Sequence, residues 1–109
     1  MSPEQGRRAK VSYKNQLAGY LTETANGYEF VYDSNFIHSG QSISISLPLR
    51  EEPYVATELF GFFRGLLPEG WYLSIVSDKE KIDPKDDFGI LLATTSDTIG
   101  AVSVHRIVD

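Results

Sequence analysis

The chain has 109 residues, of which 41% are hydrophobic and 23% are charged, and its formal net charge at pH 7 is −5. This length fits one globular domain and leaves no room for a second core, while the acidic charge argues against direct binding to a nucleic-acid backbone. The chain has no cysteine, no apolar stretch of membrane-spanning length and no signal-peptide pattern, which excludes disulfides and favours a cytoplasmic protein that contacts neither membrane nor nucleic acid directly.

The first third of the chain predicts an antiparallel meander of three strands. Apolar and polar residues alternate over Ala9–Tyr13 and again over Gln16–Thr22, and aromatic residues alternate with other residues over Tyr28–Tyr32. The expected connections are tight turns. Lys14-Asn15 suits such a turn because asparagine tolerates left-handed backbone angles, and Asn26-Gly27 is expected to supply two positions with positive φ.

The next stretch predicts a connection, a fourth strand and a loop. Asp33–Gln41 contains several serine, asparagine and glycine residues, which are typical of a connection. Ser42–Leu47 alternates serine with apolar residues, and this period of two predicts a strand that Pro48 closes. Its apolar residues are expected on one face: Ile43, Ile45 and Leu47. Arg50–Val55 is expected to be a loop.

Leu59–Leu67 is the most apolar stretch of the chain and predicts a buried helix. Large apolar residues recur there at i, i+3, i+4 and i+7, the spacing of one helical face: Leu59, Phe62, Phe63 and Leu66. Thr57 is the expected N-cap of this helix. Pro68 is expected to end it, because proline lacks the amide hydrogen that would continue the helical hydrogen bonds.

Two further helices and a closing strand follow. One helix is predicted from Gly70 to Lys81, and a short one is expected to begin at Asp86 or Asp87. Ala101–Val108 predicts a last strand, for which the first strand is the candidate partner.

Strands followed by helices and one returning strand indicate an α+β fold. We predict a single domain over residues 1–109 in which a small antiparallel sheet packs with two or three short helices. The sheet is expected to consist of the meander and the returning C-terminal strand. Residues 1–7 are polar and are expected to fray.

No pattern in the chain predicts catalysis or cofactor binding. His38 and His105 are the only histidines, and no metal-ligand spacing surrounds either of them. The sequence contains neither the G-x-S-x-G pattern of hydrolase nucleophiles nor the glycine-rich patterns of phosphate-binding loops. We therefore predict a protein that is not an enzyme and that has no catalytic residue, metal or cofactor.

The only tryptophan, Trp71, stands out because it follows directly on the predicted break Pro68-Glu69-Gly70. Most tryptophans are largely buried, so packing in the core is one interpretation. A large aromatic residue beside a turn is also a typical anchor of a protein interface. Both interpretations remain open at this stage, and Tyr72 shares them.

Four motifs, in this order, resemble the N-terminal subdomain of HipA-type serine/threonine kinase toxins. They are Ser44–Leu49, Phe62–Gly70, Asp87–Leu92 and Ile99–Val102. They resemble the "SLSLPL" strand, the "FFxxLLPEG"-like helix end, the "DxFxLL" helix and the "GAV" strand of that family. Asn15–Leu21 also resembles the opening hairpin of the subdomain, so the likeness extends from Val11 to Val108.

In HipA-type kinases this subdomain is followed by a catalytic domain with a glycine-rich, autophosphorylated loop and metal-binding aspartates. The 109 residues contain no counterpart of either, so no kinase residue is carried over. A free-standing copy of the subdomain resembles HipS, the small component of tripartite HipBST toxin–antitoxin modules. The resemblance implies an antitoxin that binds and inhibits a HipT-like serine/threonine kinase, with a HipB-like DNA-binding protein in the larger complex.

The expected partner-binding residues lie where the family's Pro-Glu-Gly ends and the chain begins to depart from the HipA-type pattern. Trp71-Tyr72 stands where many HipA-type sequences carry smaller or polar residues, and the rigid turn before it supports the pair. The predicted partner-binding set is Pro68, Glu69, Gly70, Trp71 and Tyr72. The alternative is a scaffold subunit that joins a HipB-containing repressor complex without inhibiting the kinase.

Overall fold

A computed structural model describes residues 7–68, 70–95 and 102–107, with the side chains of all of these except residues 70–72 and 95. The described strands are β1 (Arg8–Tyr13), β2 (Gln16–Thr24), β3 (Gly27–Tyr32), β4 (Tyr54–Ala56) and β5 (Val102–Ile107). The described helices are α1 (Ser34–Ile37), α2 (Gly61–Arg64), α3 (Gly70–Glu80) and α4 (Asp87–Thr95).

The strands form one antiparallel sheet in the order β4-β3-β2-β1-β5. The α+β class and the meander are therefore confirmed, and the last strand does pair with the first. Val11 lies opposite Gly19 on one side and Val104 on the other. The ends of the predicted last strand, residues 101 and 108, lie outside the described ranges.

The predicted backbone angles are found in the first hairpin turn but only in part in the second. Lys14 and Asn15 both have positive φ, at 51° and 67°, as a tight turn between right-twisted strands requires. The second turn consists of Ala25 and Asn26. Of the two positions expected to have positive φ, Gly27 does, at 155°, whereas Asn26 does not. Gly27 begins β3, where an added Cβ would lie 2.0 Å from the carbonyl oxygen of Ala56 in β4. Glycine therefore permits the close approach of the edge strand.

The predicted fourth strand over Ser42–Leu47 is wrong. The chain turns there instead, and only an isolated bridge joins Ser44 to Leu47. Ile43 and Leu47 are buried, whereas Ile45 is 97% exposed, so the three do not share a face. The fourth strand is the short β4, in a stretch expected to be a loop. It pairs with β3 at the sheet edge, where the preceding Pro53 removes no ladder hydrogen bond.

The helical predictions are partly confirmed. The helix α2 covers only one turn of the predicted Leu59–Leu67, and its N-cap is Phe60, which makes no side-chain cap hydrogen bond. Thr57 is therefore not the cap. The predicted helix Gly70–Lys81 is confirmed as α3, and the left-handed backbone of Lys81, with φ of 56°, marks its end.

The other two helices, α4 and α1, begin at aspartate N-caps. Asp86 caps α4, because its Oδ1 accepts a hydrogen bond of 3.2 Å from the backbone N–H of Gly89. The short helix α1 lies in the predicted connection and is capped in the same way by Asp33, which accepts from the N–H of Asn35. It makes the described helices four rather than two or three.

The core lies between one face of the sheet and the helices. Buried sheet residues come mainly from the three central strands and β5: Ala9, Val11, Leu21, Phe30 and Val104. The helices contribute Phe36, Phe63, Phe88 and Leu91. Phe63 has no exposed surface and packs edge-on against Phe30, with 5.6 Å between the ring centroids. The short helix α2 is therefore fixed by packing rather than by its own length.

Candidate partner-binding site

The predicted partner-binding residues fall at the junction between α2 and α3. Pro68 follows the turn that ends α2, and it is half-buried. Gly70, Trp71 and Tyr72 form the first turn of α3, so their backbone is helical. Glu69 and the side chains of residues 70–72 lie outside the described part of the chain.

A cleft of about 280 Å³ lies beside Pro68, where α2, α3 and α4 approach one another. Most of its lining is apolar, with one arginine and one aspartate: Arg64, Leu67, Pro68, Leu73, Pro84, Asp87 and Ile90. Such a lining suits an apolar group with a polar neighbour. No pair of a nucleophile and a base is among these lining residues.

The two sides of α3 differ in exposure. Leu73 and Val76 are half-buried and Ser77 is buried, where its hydroxyl donates a hydrogen bond to the carbonyl of Ile82. The opposite side is exposed and includes Ile75 and Asp78. Because an α-helix repeats every 3.6 residues, position 71 lies on the helical face of Ile75 and Asp78, one and two turns before them.

An ion-pair cluster that sequence analysis missed lies elsewhere, where β2 approaches the start of α4. Arg7 contacts Glu23 through Nε at 3.0 Å and Nη2 at 3.1 Å, and it contacts both carboxylate oxygens of Asp86 at 2.7 and 2.9 Å. Its guanidinium also lies 5.2 Å from the ring centroid of Phe88. Residues 1–7 were expected to fray, but the carbonyl of Arg7 accepts a backbone hydrogen bond of 2.8 Å from Glu23. The prediction is therefore wrong for Arg7.

The positive charge of Arg7 and the negative charges of Glu23 and Asp86 stabilise one another. The hydrogen bonds from Arg7 hold the pKa of the Glu23 carboxyl and that of the Asp86 carboxyl below their usual values, although partial burial opposes the shift. The hydrogen bond to Asp86 and then that to Glu23 raise the pKa of Arg7. The cluster joins residues that are 79 positions apart in the sequence, from the start of the sheet to the start of α4.

Replacing Arg7 by glutamine should lower the free energy of unfolding by about 1–2 kcal/mol at about pH 7. The folded pKa values of both carboxyls are depressed, so this stabilisation is complete above the unfolded pKa values of 4.5 and 3.8. It is lost as the pH falls through the lower, folded values. Urea unfolding across this range should therefore show that the difference in unfolding free energy between wild type and Arg7→Gln shrinks in acid.

Arg8→Gln, at an exposed arginine next to Arg7, is the control and should change stability little at any pH. A difference that is independent of pH would contradict this account.

The histidines are not assembled into a site. His38 and His105 are both exposed. Within residues 7–68, 70–95 and 102–107, no group of three or more histidine, aspartate or glutamate side chains is arranged to hold a metal ion. None of the helices in these ranges is long and apolar enough to span a membrane.

Comparison with known proteins identifies the fold. A family model described as the HipA N-terminal domain matches residues 9–105. The solved N-terminal domain of HipA toxin superimposes with a TM-score of 0.74 and 26% sequence identity, and the match covers 99% of both chains.

Two relatives differ in how much of their length this domain occupies. An uncharacterized protein of Haemophilus influenzae is 32% identical over 100 residues, which are 92% of this chain and 92% of that protein. The putative kinase Y4mE of Sinorhizobium fredii is 29% identical over 101 residues, which are 90% of this chain. The matched region makes up only 24% of Y4mE, so the chain spans about a quarter of that relative.

Proposed function

Because the chain belongs to the HipA N-terminal domain family, we propose that it is an antitoxin that binds and inhibits a HipT-like serine/threonine kinase. The proposed setting is a tripartite toxin–antitoxin module in the cytoplasm, with a HipB-like DNA-binding protein in the larger complex. The chain acts by binding alone, as a protein that is not an enzyme.

The observation that carries the proposal is the contrast between the two relatives. In the putative kinase Y4mE the domain is a quarter of a longer chain, whereas in the Haemophilus influenzae relative it is nearly the whole protein. The same domain thus occurs as part of a putative kinase and as nearly all of a separate protein. As a separate protein, it is suited to bind a kinase encoded by another gene. A separate domain lacks the effective concentration of a fused one, so it needs additional anchoring contacts.

The proposed anchor is Trp71, supported by Tyr72 and the turn Pro68-Glu69-Gly70. Position 71 comes four residues before the exposed Ile75, on the same side of α3 by helical repeat, and large aromatic residues are typical interface anchors. We place the indole in a pocket of the kinase close to its active cleft. The cleft beside Pro68 offers the kinase a second, apolar point of contact. A net charge of −5 suits a partner with a basic surface.

Co-expression tests the proposal. A HipT-like kinase that lacks the N-terminal domain should arrest bacterial growth when expressed alone, and expression of this chain should restore growth without a HipB-like protein. The alternative, a scaffold subunit of a repressor complex, predicts that growth remains arrested until the HipB-like protein is added. Arrest that persists in the presence of this chain, at matched soluble expression, would therefore contradict the antitoxin function.

A further inference from the structure

The turn Ser44–Leu47 holds an isoleucine in solvent. Ile45 is 97% exposed, the largest exposure among the large hydrophobic side chains of the described residues. Single exposed apolar residues are common on protein surfaces, so exposure alone does not indicate function. Ile45 differs from such residues because it occupies the tip of a tight turn, where glycine, proline, asparagine, aspartate and serine are the usual residues.

Hydrogen bonds fix the tip of this turn. The backbone N–H of Leu47 donates to the Ser44 carbonyl at 3.1 Å, which closes the turn. The N–H of Ser46 donates to Ser44 Oγ at 3.1 Å, and the two serine hydroxyls are 2.8 Å apart. Ser42 Oγ also donates to the Ser44 carbonyl, at 2.9 Å. The serines therefore hold the turn rather than contacting a neighbouring strand.

The base of the turn is fixed to the core. The buried hydroxyl of Tyr32 accepts a hydrogen bond of 3.2 Å from the backbone N–H of Ile43 and donates one to the Leu47 carbonyl. The side chains of Ile43 and Leu47 are themselves buried. Ile45 is thus presented by a loop that is already ordered, so a partner that buries it would lose little conformational entropy.

The same loop carries two exposed carboxylates, those of Glu51 and Glu52, that have no ion-pair partner among the described residues. The adjacent Arg50 is positively charged but forms no ion pair with either carboxylate. Its guanidinium donates to the carbonyls of Glu52 and Pro53 at 3.1 and 2.8 Å and stacks 3.7 Å from the ring centroid of Tyr54. Glu51 and Glu52 follow Ile45 by six and seven residues, so the apolar tip and the acidic pair lie within about 25 Å of each other, the reach of seven extended residues.

We propose that Ile45 is a second anchor for the kinase, and that it fills an apolar pocket whose rim carries basic side chains facing Glu51 and Glu52. The inference rests on the proposed function and adds a contact that is separate in sequence from Trp71. Charge disfavours the two other candidate occupants. A second copy of the chain would bring the same net charge of −5 and the same acidic pair, and an anionic membrane surface would also repel them. One isoleucine also buries too little area to hold a homodimer.

Binding to a purified HipT-like kinase that lacks the N-terminal domain tests the proposal. By isothermal titration, Ile45→Ala should raise Kd about 10-fold, as expected for an apolar anchor truncated in its pocket. Val55→Ala is the matched control, because Val55 is 73% exposed on the edge strand β4 and is likewise β-branched. It should leave Kd within about twofold. The double variant Glu51→Gln, Glu52→Gln should slow association and weaken its dependence on salt.

The possible failures are distinguishable. Equal Kd values for wild type and Ile45→Ala, at unchanged melting temperature, would refute the second anchor and leave the antitoxin function standing. No binding by the wild type would overturn both. If sedimentation shows that the wild type forms a dimer that Ile45→Ala dissociates, the occupant is a second copy and the proposal is wrong.

Discussion

Replacing Phe63 by alanine should lower the free energy of unfolding by about 3–5 kcal/mol. The Phe63 side chain has no exposed surface, and its ring contacts those of Phe30, Phe60 and Phe62, with centroids 5.6, 6.4 and 5.2 Å away. Its removal would leave a cavity between the sheet and α2. A domain of this size has a total stability of about 5–15 kcal/mol, so the variant should be close to unfolding at physiological temperature. Chemical denaturation monitored by circular dichroism measures the loss.

Phe62→Ala is the control for this prediction. Phe62 is the preceding residue of the same helical turn and is only half-buried, so the same truncation should cost about half as much or less. Equal losses for the two variants, or a loss below about 1.5 kcal/mol for Phe63→Ala, would mean that α2 is not fixed by the packing of this ring.

Replacing Trp71 by alanine should raise the Kd for the kinase by about 30- to 1,000-fold, the effect of truncating an interface anchor worth about 2–4 kcal/mol. The unfolding free energy should change by less than about 1 kcal/mol, because position 71 is one helical turn before Ile75, which is 47% exposed. Titration of the purified kinase measures Kd, and denaturation of the isolated chain measures stability.

Trp71→Phe separates an anchoring role from a merely structural one. Phenylalanine keeps an aromatic ring for the kinase pocket, so this variant should retain most of the affinity that Trp71→Ala loses. If Trp71→Ala unfolds the chain, the side chain belongs to the core. If it binds the kinase as well as the wild type does, Trp71 is not an anchor.

The parts of the fold that local sequence determines were predictable. The meander follows from alternation and two short turns, and Lys14 and Asn15 adopt the left-handed angles expected of them. The helix α3 follows Pro68 as predicted. These features depend on neighbouring residues, whose preferences the sequence displays directly.

The parts that depend on distant residues were not predictable. The alternation over Ser42–Leu47 resembles that of a strand, but the hydroxyl of Tyr32 and the serine hydroxyls take up the backbone groups that a strand would have used. The edge strand β4 has only three residues and pairs where Gly27 lacks a side chain. Arg7 donates hydrogen bonds to Asp86, which is 79 positions later in the sequence. Charge and periodicity along the chain carry no signal for such pairs.

The same distinction applies to the candidate site. The sequence pointed to the break at Pro68 and to the helix that follows it, and the structure adds the cleft beside Pro68 and the exposed face of α3. Ile45 was expected on the same strand face as Ile43 and Leu47. The hydrogen bonds of the turn Ser44–Leu47 place Ile45 at its tip, where the side chain is exposed, and nothing in the sequence indicated these bonds.

Kinase activity in a purified system tests the central claim most directly. A HipT-like kinase without its N-terminal domain is incubated with ATP and its protein substrate, with and without this chain, in the absence of any HipB-like protein. The antitoxin function predicts that phosphorylation falls to background once the chain is equimolar with the kinase, and that Trp71→Ala shifts this inhibition to higher concentrations. Undiminished phosphorylation at a large molar excess of folded wild-type chain would contradict it.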